Sequence, residues 1–249
     1  YGDNPISVDK NGLGRNNLLY ISLVLSHLLS QEKKNYFKMI AIEEPESHLS
    51  PILQKHLAQN LEEEDKDKKR QLLVTSHSTH IISHLDIDNM VIIYKNGEQI
   101  KSHYILDNID KKFKKYLKKW LNATNSTMFF SRRIILVEGI AEQILIPSLF
   151  KRHTGETLEK YNCQVINVNG VAFKNFLEIV KNGYFIKCAV LTDSDKETKT
   201  ENRADDLKKD YESNNVKVFI TSTQTFERDI LESNKSGKYK TTINKTMEE

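Results

Sequence analysis

Apolar and polar positions in the first half of the chain predict a helix, two strands, a second helix and a hairpin. Apolar side chains recur at helical spacing over residues 13–29. Short apolar runs at 38–42 and 71–75 predict two buried parallel strands, and the helix between them would begin at Ser50-Pro51. Two further strand-like runs flank Asn96-Gly97, a pair that is typical of a β-hairpin.

The second half of the chain alternates strand-like and helical patterns. The strand-like runs are 134–137, 163–168, 187–191 and 216–220, and the helical runs between them are 141–152, 173–181 and 202–211. This alternation predicts an α/β fold in which helices flank a parallel four-stranded sheet. A polar stretch separates the two halves, and we place a domain boundary there, which gives domains of 1–125 and 126–249.

Residues 110–121 have an amphipathic helical pattern whose polar face is basic. Six lysines lie on that face, and the other face carries Phe113, Tyr116, Leu117, Trp120 and Leu121. The lysines could follow a nucleic-acid phosphate backbone, or they could form an ordinary solvated helix face. The sequence leaves both interpretations open.

Composition narrows the class of protein. The 249 residues are 38% hydrophobic and 29% charged with a formal net charge of +3, so the global charge does not indicate a nucleic-acid partner. The longest apolar run, at 18–29, is too short to span a bilayer. Cys163 and Cys188 lie in strand-like runs, as buried thiols of a reducing compartment do. We therefore expect a cytoplasmic protein with no membrane partner.

Acidic residues end the first predicted strand, and a histidine follows the second. Glu43 and Glu44 come directly after the run at 38–42, and His77 follows the run at 71–75. Nucleotide hydrolysis needs a carboxylate near magnesium, a second one to orient or deprotonate the attacking water, and a polar group to sense the γ-phosphate. Glu43, Glu44 and His77 suit these three roles in that order.

This motif set resembles the ABC-type ATPases of the RecF, SMC and OLD group, which carry a Walker B strand, a Pro-Glu-x-His-Leu loop and a switch histidine of this form. Glu43 departs from the wider superfamily, which usually has Asp there. The stretch Gly12-Leu-Gly14 resembles the segment that contacts nucleotide across a dimer in OLD proteins. The resemblance therefore implies a homo-oligomer joined through the ATPase domain.

The sequence holds no G-x-x-x-x-G-K-[ST] loop, whose backbone amides and lysine cradle nucleotide phosphates. The resemblance implies that such a loop belongs to a further lobe. We expect that lobe either to precede this apparently truncated chain or to lie on a partner subunit. ATP would then be a cofactor only together with the missing lobe.

Four acidic residues follow two strands of the predicted parallel sheet. Glu138 ends the run at 134–137 and Glu142 lies one helical turn further on, while Asp193 and Asp195 follow the run at 187–191 and should point to one side because strand side chains alternate. Carboxylates crowded at one sheet edge repel each other. Mg²⁺ or Mn²⁺ would relieve the repulsion, and paired metals can stabilise both the attacking and the leaving oxygen of a phosphodiester.

These residues resemble the Toprim domain of topoisomerases, primases and OLD nucleases. The OLD family is the closer match because Leu136-Val-Glu-Gly-x-x-Glu142 carries its second glutamate. Thr225-Phe-Glu-Arg-Asp229 resembles a later segment of that family, which implies Glu227 as a further metal ligand. The resemblance also implies a catalytic lysine near the carboxyl end, where the available residues are Lys235, Lys238, Lys240 and Lys245.

The resemblance as a whole implies a partial ABC-type ATPase lobe followed by a Toprim domain. The leading hypothesis is an OLD-family DNA endonuclease or nickase in which Glu138, Asp193 and Asp195 are catalytic and bind metal, with Glu142 and Glu227 assisting. The ATPase half would regulate cutting, and the resemblance suggests a role in defence against phage. Two alternatives stay open: a non-catalytic DNA-binding or assembly fragment, and a primase-like or RNA-processing Toprim protein.

Overall fold

The computed structural model describes residues 8–30, 38–64, 70–106, 109–121, 125–170, 172–195, 198 and 202–234. The chain divides into two compact units, which are residues 1–90 with 120–130 and residues 91–119 with 131–249. The domain boundary near residue 126 stays a prediction. The compact units divide the chain differently, because the segment 91–119 belongs with the second unit.

The first unit pairs two parallel strands with helices, as the apolar pattern predicts. Ile40 lies opposite Leu72 and Glu43 lies opposite Thr75, so the carboxyl ends of both strands meet at one edge. The elements in chain order are α1 (Leu13–Ser30), β1 (Lys38–Glu43), α2 (Pro51–Glu64), β2 (Arg70–Thr75) and α3 (Thr79–Ile82).

The core of the first unit forms between its helices and one face of its strands. Ile21, Leu57, Leu61 and Ile81 are buried there. Ile42, Leu72 and Val74 pack against this cluster from the strands, whereas Met39 and Leu73 on the opposite face are exposed. Side chains alternate along a strand, which explains why the two faces differ.

The second unit is built around the predicted four-stranded parallel sheet. The strands of the unit are β3 (Val91–Asn96), β4 (Gln99–Tyr104), β5 (Arg133–Val137), β6 (Cys163–Asn167), β7 (Lys187–Thr192) and β8 (Val216–Ile220). The order in the four-stranded sheet is β6-β5-β7-β8. Helices connect its strands, as is usual when parallel strands follow each other in a chain. The helices of the unit are α4 (Lys111–Trp120), α5 (Ile140–Thr154), α6 (Phe173–Lys181), α7 (Arg203–Tyr211) and α8 (Phe226–Asn234).

The hairpin of β3 and β4 is confirmed, with a shift of one residue in its turn. Asn96 pairs with Gln99, so the two-residue loop is Gly97-Glu98 and not Asn96-Gly97. Gly97 has a φ of 63°, which glycine adopts without steric cost. Tyr94 of the hairpin stacks on Phe185 with 3.9 Å between ring centroids, and this contact lies within the second unit.

Buried apolar side chains from the strands and from the α6 region form the core of the second unit. Leu136 and Val190 from the strands and Phe176 and Tyr184 from the α6 region are fully buried. Cys163 and Cys188 are buried free thiols. In the part of the chain that the structure describes, no helix is long and apolar enough to cross a membrane.

Candidate functional site

Glu138 lies just past β5, at the carboxyl edge of the four-stranded sheet. Its Oε1 accepts three hydrogen bonds, from Thr192 Oγ1 at 2.6 Å, from the Asp193 amide at 2.9 Å and from Arg203 Nη2 at 2.9 Å. Carboxylate oxygens that accept several donors are held in one orientation. Glu138 therefore ties the end of β5 to the end of β7 and to the start of α7.

Asp193 and Asp195 lie in the loop that follows β7, because the strand ends at Thr192. Strand alternation therefore does not set the directions of their side chains, and the backbone at Asp195 has turned into the left-handed region with a φ of 49°. Asp193 Oδ1 accepts from the Phe226 amide at 2.9 Å, at the start of α8. Asp195 Oδ2 accepts instead from Arg203, through Nε at 3.1 Å and Nη2 at 2.8 Å.

Glu142 and Glu227 each stand in the first turn of a helix, where the macrodipole favours negative charge. Glu142 is buried, and its carboxylate folds back over Gly139, where an added Cβ would lie 3.1 Å from Glu142 Oε2. Glu227 is exposed. Both carboxylates lie close enough to Asp193 to act on its charge.

The electrostatics of this edge centre on Asp193. Burial, followed by the negative charge of Glu138, raises the pKa of Asp193 from 3.8 to about 6, with smaller contributions from Glu142 and Glu227 and an opposing one from the Phe226 amide. Burial is the larger cause of this rise in pKa, and the rest comes from neighbouring carboxylates, so negative groups do lie close together at this edge. Carboxylate oxygens with uncompensated charge are the donor set that Mg²⁺ and Mn²⁺ prefer, so the residue types fit a hard divalent cation.

The carboxylates are nevertheless turned toward internal partners. Across the described ranges, no group of three or more His, Cys, Asp or Glu side chains is arranged to hold a metal ion. Glu138 and Asp195 share Arg203, and Asp193 faces the amide of Phe226. The structure brings the predicted residues to one sheet edge, while their role as metal ligands stays a prediction.

The first unit places its predicted residues at the carboxyl ends of β1 and β2. Glu43 ends β1, and Glu44 follows with a φ of 42° while its amide bonds to the Thr75 carbonyl at 3.0 Å. The side chains of Glu44 and His77 are exposed and lie 3.5 Å apart, from Oε1 to Nε2. Acidic groups and a histidine thus meet at one edge of the strand pair, as the motif predicts.

Glu46, which the sequence analysis did not select, holds this edge together. Its Oε1 accepts from Ser76 Oγ at 2.8 Å and from the His77 amide at 2.7 Å. The glutamate therefore fixes the backbone from which His77 projects. The sequence does mark this residue, because Glu46 is the glutamate of the Pro-Glu-x-His-Leu loop. We used that loop only to identify the motif and gave no separate role to the Glu46 side chain.

The two glycines before and within α1 differ in their surroundings. A Cβ on Gly14 would lie 2.2 Å from the carbonyl oxygen of His48 and 2.9 Å from its carbon. His48 has a φ of 64°, and the loop that contains it receives hydrogen bonds from Asn17 at the Pro45 and Ser47 carbonyls. Gly14 therefore has a packing reason to be glycine. A Cβ on Gly12 would meet nothing within 4 Å, and the predicted nucleotide contacts of both glycines stay predictions.

Family models match both parts of the chain. Residues 129–195 match the TOPRIM domain of overcoming lysogenization defect protein-like proteins, and residues 2–82 match an AAA ATPase domain. The first match spans Glu138, Glu142, Asp193 and Asp195. The chain therefore combines a segment that matches an ATPase domain with a segment that matches an OLD-like Toprim domain, and its fold is a partial ATPase lobe followed by a Toprim domain.

Two relatives resemble most of this chain. Endonuclease GajA of Bacillus cereus (strain HuB5-5) is 28% identical in an alignment of 244 positions that covers 85% of this chain and 34% of GajA. Old nuclease of Escherichia phage P2 is 24% identical in an alignment of 204 positions that covers 78% of this chain and 35% of that protein. The chain thus spans about a third of the length of these relatives.

Among solved structures, the C-terminal region of the Burkholderia pseudomallei OLD protein is similar to this chain over 45% of this chain and 69% of the solved one. The two share 25% sequence identity, with a TM-score of 0.33.

The sequence analysis missed Arg203 and Thr192 at this site. Thr192 lies just past the predicted run at 187–191 and received no role, although its hydroxyl donates to Glu138. Arg203 carries a weak signal, because it begins α7 at a position where the helix dipole favours acidic residues. The four candidate lysines beyond Glu227 lie outside the described residues.

The raised pKa of Asp193 predicts how pH affects the stability of the metal-free protein. The folded protein holds this proton up to about pH 6, whereas a free carboxyl loses it near 3.8. Stability should therefore fall as pH rises from about 4 to 6 and stay lower above that range. We expect Asp193→Asn, which keeps the oxygen that accepts from Phe226, to raise the melting temperature in EDTA at pH 7.5 but not at pH 4. Equal effects of the substitution at both pH values would contradict this.

Proposed function

We propose that this chain is the Toprim-bearing part of a metal-dependent DNA endonuclease or nickase. The observation that carries the proposal is the meeting of Glu138, Asp193 and Asp195 at one sheet edge within a segment that matches the OLD-like Toprim model. Two relatives are named an endonuclease and a nuclease, and their similarity to this chain supports the proposal.

Glu138, Asp193 and Asp195 would hold Mg²⁺ or Mn²⁺, with Glu142 and Glu227 assisting. When bound, the metal would supply Lewis-acid activation of water and of a phosphodiester. Thr192 and the Asp193 amide fix the orientation of Glu138. Because the pKa of Asp193 is about 6, this ligand is ionised at neutral pH and increasingly protonated below that value. Metal binding should therefore weaken in mild acid.

The basic helix α4 supports DNA as the partner, because it lies beside the same sheet edge. Tyr116 Oη donates to the Val168 carbonyl at 3.4 Å and packs edge-on against Phe176. Two residues further on, the Gly170 amide donates to the Glu138 carbonyl at 2.7 Å. The helix thus contacts the loop that also holds Glu138, and exposed lysines on it could hold a phosphate backbone near the carboxylates.

Neutralising exposed lysines of α4 should weaken DNA binding and reduce its salt dependence. We expect the triple variant Lys111→Gln, Lys112→Gln and Lys115→Gln to bind duplex DNA about tenfold less tightly in low salt, with a shallower slope of log affinity against log salt. Fluorescence anisotropy measures both quantities. A triple variant that changes the exposed Lys208, Lys209 and Lys217 is the matched control. If both variants behave alike, α4 is only a solvated face.

Nucleotide would act through the first unit. Glu43, Glu44 and His77 would face ATP, with Gly12 and Gly14 close to nucleotide bound across a homo-oligomer or a partner subunit. ATP would bind only together with a phosphate-loop lobe. The same proposal gives this unit a regulatory role and the protein a task in defence against phage. It also places the protein in the cytoplasm, a location that the buried free thiols favour.

Cleavage of supercoiled plasmid tests the proposal directly. We expect nicked or linear products with Mg²⁺ or Mn²⁺ and none in EDTA. A single-stranded RNA of matched length is the control substrate. Preferential RNA cleavage would favour an RNA-processing Toprim protein, and metal-independent binding without cleavage of either substrate would favour a non-catalytic DNA-binding fragment.

A further inference from the structure

Arg203 places a permanent positive charge between two of the predicted metal ligands. Its Nη2 lies 2.9 Å from Glu138 Oε1 and 2.8 Å from Asp195 Oδ2, and its Nε lies 3.1 Å from the same Asp195 oxygen. About four-fifths of the arginine side chain is shielded from solvent, and the two carboxylates are shielded to a similar degree. Charge-assisted contacts in such a setting are stronger than those at an open surface.

The local sequence of α7 does not explain an arginine at this position. Arg203 is the first residue of the helix, where the dipole opposes a positive charge, and Asp205 and Asp206 satisfy the dipole in the same turn. The side chain reaches away from its own helix to the ends of β5 and β7. The acidic sheet edge, and not the helix, is therefore what Arg203 stabilises.

We propose that Arg203 is an internal counter-ion that bridges Glu138 and Asp195 in the metal-free protein and competes with the divalent cation for these two carboxylates. The proposal rests on the metal-dependent function proposed above. A cation held by both carboxylates would come close to the guanidinium that already bridges them, and two positive groups at such a distance repel each other. Metal entry should therefore weaken the contacts of the guanidinium with the two carboxylates.

Two consequences follow for the protein's behaviour. Without metal, Arg203 neutralises part of the negative charge of Glu138 and Asp195 and so stabilises the positions of these two carboxylates. With metal, displacement of the guanidinium costs binding free energy, so the site binds metal less tightly than the same carboxylates would without the arginine. The sign of this effect separates the proposal from the alternative, in which Arg203 only positions the ligands and its loss weakens metal binding.

Calorimetric titration of the whole chain with Mn²⁺ tests the sign. We expect Arg203→Gln to lower the apparent Kd for Mn²⁺ about tenfold, a size typical of groups that act on a metal through its ligands. The same variant should melt at a lower temperature in EDTA and gain more in melting temperature from Mn²⁺ than the unsubstituted protein.

Arg228→Gln is the matched control, because Arg228 lies in the same unit and donates to Gln224 Oε1 at 2.9 Å. This variant should leave the Kd for Mn²⁺ and the melting temperature in EDTA unchanged. Arg203→Lys keeps the positive charge but lacks the planar guanidinium that contacts both carboxylates. Its Kd for Mn²⁺ should therefore lie between that of Arg203→Gln and that of the unsubstituted protein. It decides the question if Arg203→Gln fails to fold.

Three outcomes are distinguishable. Tighter Mn²⁺ binding by the Arg203 variants supports the proposal. Weaker or unchanged binding by folded Arg203 variants, with normal binding by the unsubstituted chain, overturns the counter-ion role and leaves the proposed function standing. No Mn²⁺ binding by any of the proteins overturns the metal-dependent function, and the counter-ion role is overturned with it.

Discussion

Replacing Glu138 with glutamine is expected to reduce metal-dependent plasmid cleavage by about 100-fold. This corresponds to a loss of about 3 kcal/mol of transition-state stabilisation, which is within the several kcal/mol that a catalytic metal supplies. Glutamine has nearly the same shape as glutamate, and its carbonyl oxygen can still accept from Thr192 and from the Asp193 amide. The substitution therefore removes the negative charge and leaves the links between strands in place.

Glu212→Gln provides the control for this prediction, since Glu212 is an exposed residue of the same unit at the end of α7. Cleavage by the control should match that of the unsubstituted protein. Mn²⁺ titration serves as a second measurement, in which Glu138→Gln should show weaker binding. Cleavage and binding that survive the substitution would remove Glu138 from the metal-binding set.

The second large effect concerns Gly14 and the stability of the first unit. Because a Cβ there would lie 2.2 Å from the His48 carbonyl oxygen, Gly14→Ala must push α1 away from the loop after Glu44. Overpacking of this kind costs about 3 kcal/mol. Hydrogen exchange of backbone amides in α2 and α3 reports the stability of the first unit without requiring that the whole chain unfold in one step.

Gly12→Ala is a matched control that differs by two positions. A methyl group on Gly12 meets nothing within 4 Å, so exchange rates in α2 and α3 should not change. Equal exchange rates in the two variants would show that the close approach of Gly14 to His48 does not limit stability. A selective effect at Gly14 would show that this glycine serves packing, whatever contact it makes with nucleotide.

The sequence predicted the strands and most of the helices because their signals are periodic and local. The apolar runs that became β5, β7 and β8 are short, buried and bounded by polar residues, which is why their ends fall within a residue or two of the expected positions. The order of acidic residues along the chain also predicted that Glu138, Asp193 and Asp195 would meet, because parallel strands bring their carboxyl ends to one edge.

The contacts within the site could not be predicted in the same way. The left-handed backbone of Asp195 breaks the alternation that we assumed for Asp193 and Asp195, and no pattern in the sequence signals that turn. Arg203 reaches Glu138 across 65 positions of sequence, a distance over which single-sequence periodicity carries no information. Glu46 was overlooked for a different reason, because its role depends on the Ser76 hydroxyl and the His77 amide, which lie just past the end of the neighbouring strand β2.

The three donors on Glu138 Oε1 have a consequence for the synthesis of the protein. They come from residues 54 to 65 positions later in the chain, so a growing chain that ends before α7 cannot form the complete junction. Ribosomes deliver the chain from its amino end, and contacts between distant positions form only after both partners have emerged. A nascent chain would hence carry β5, β6 and β7 before it carries the complete set of donors on Glu138. If cutting of DNA requires this junction, premature termination before α7 yields a fragment without it.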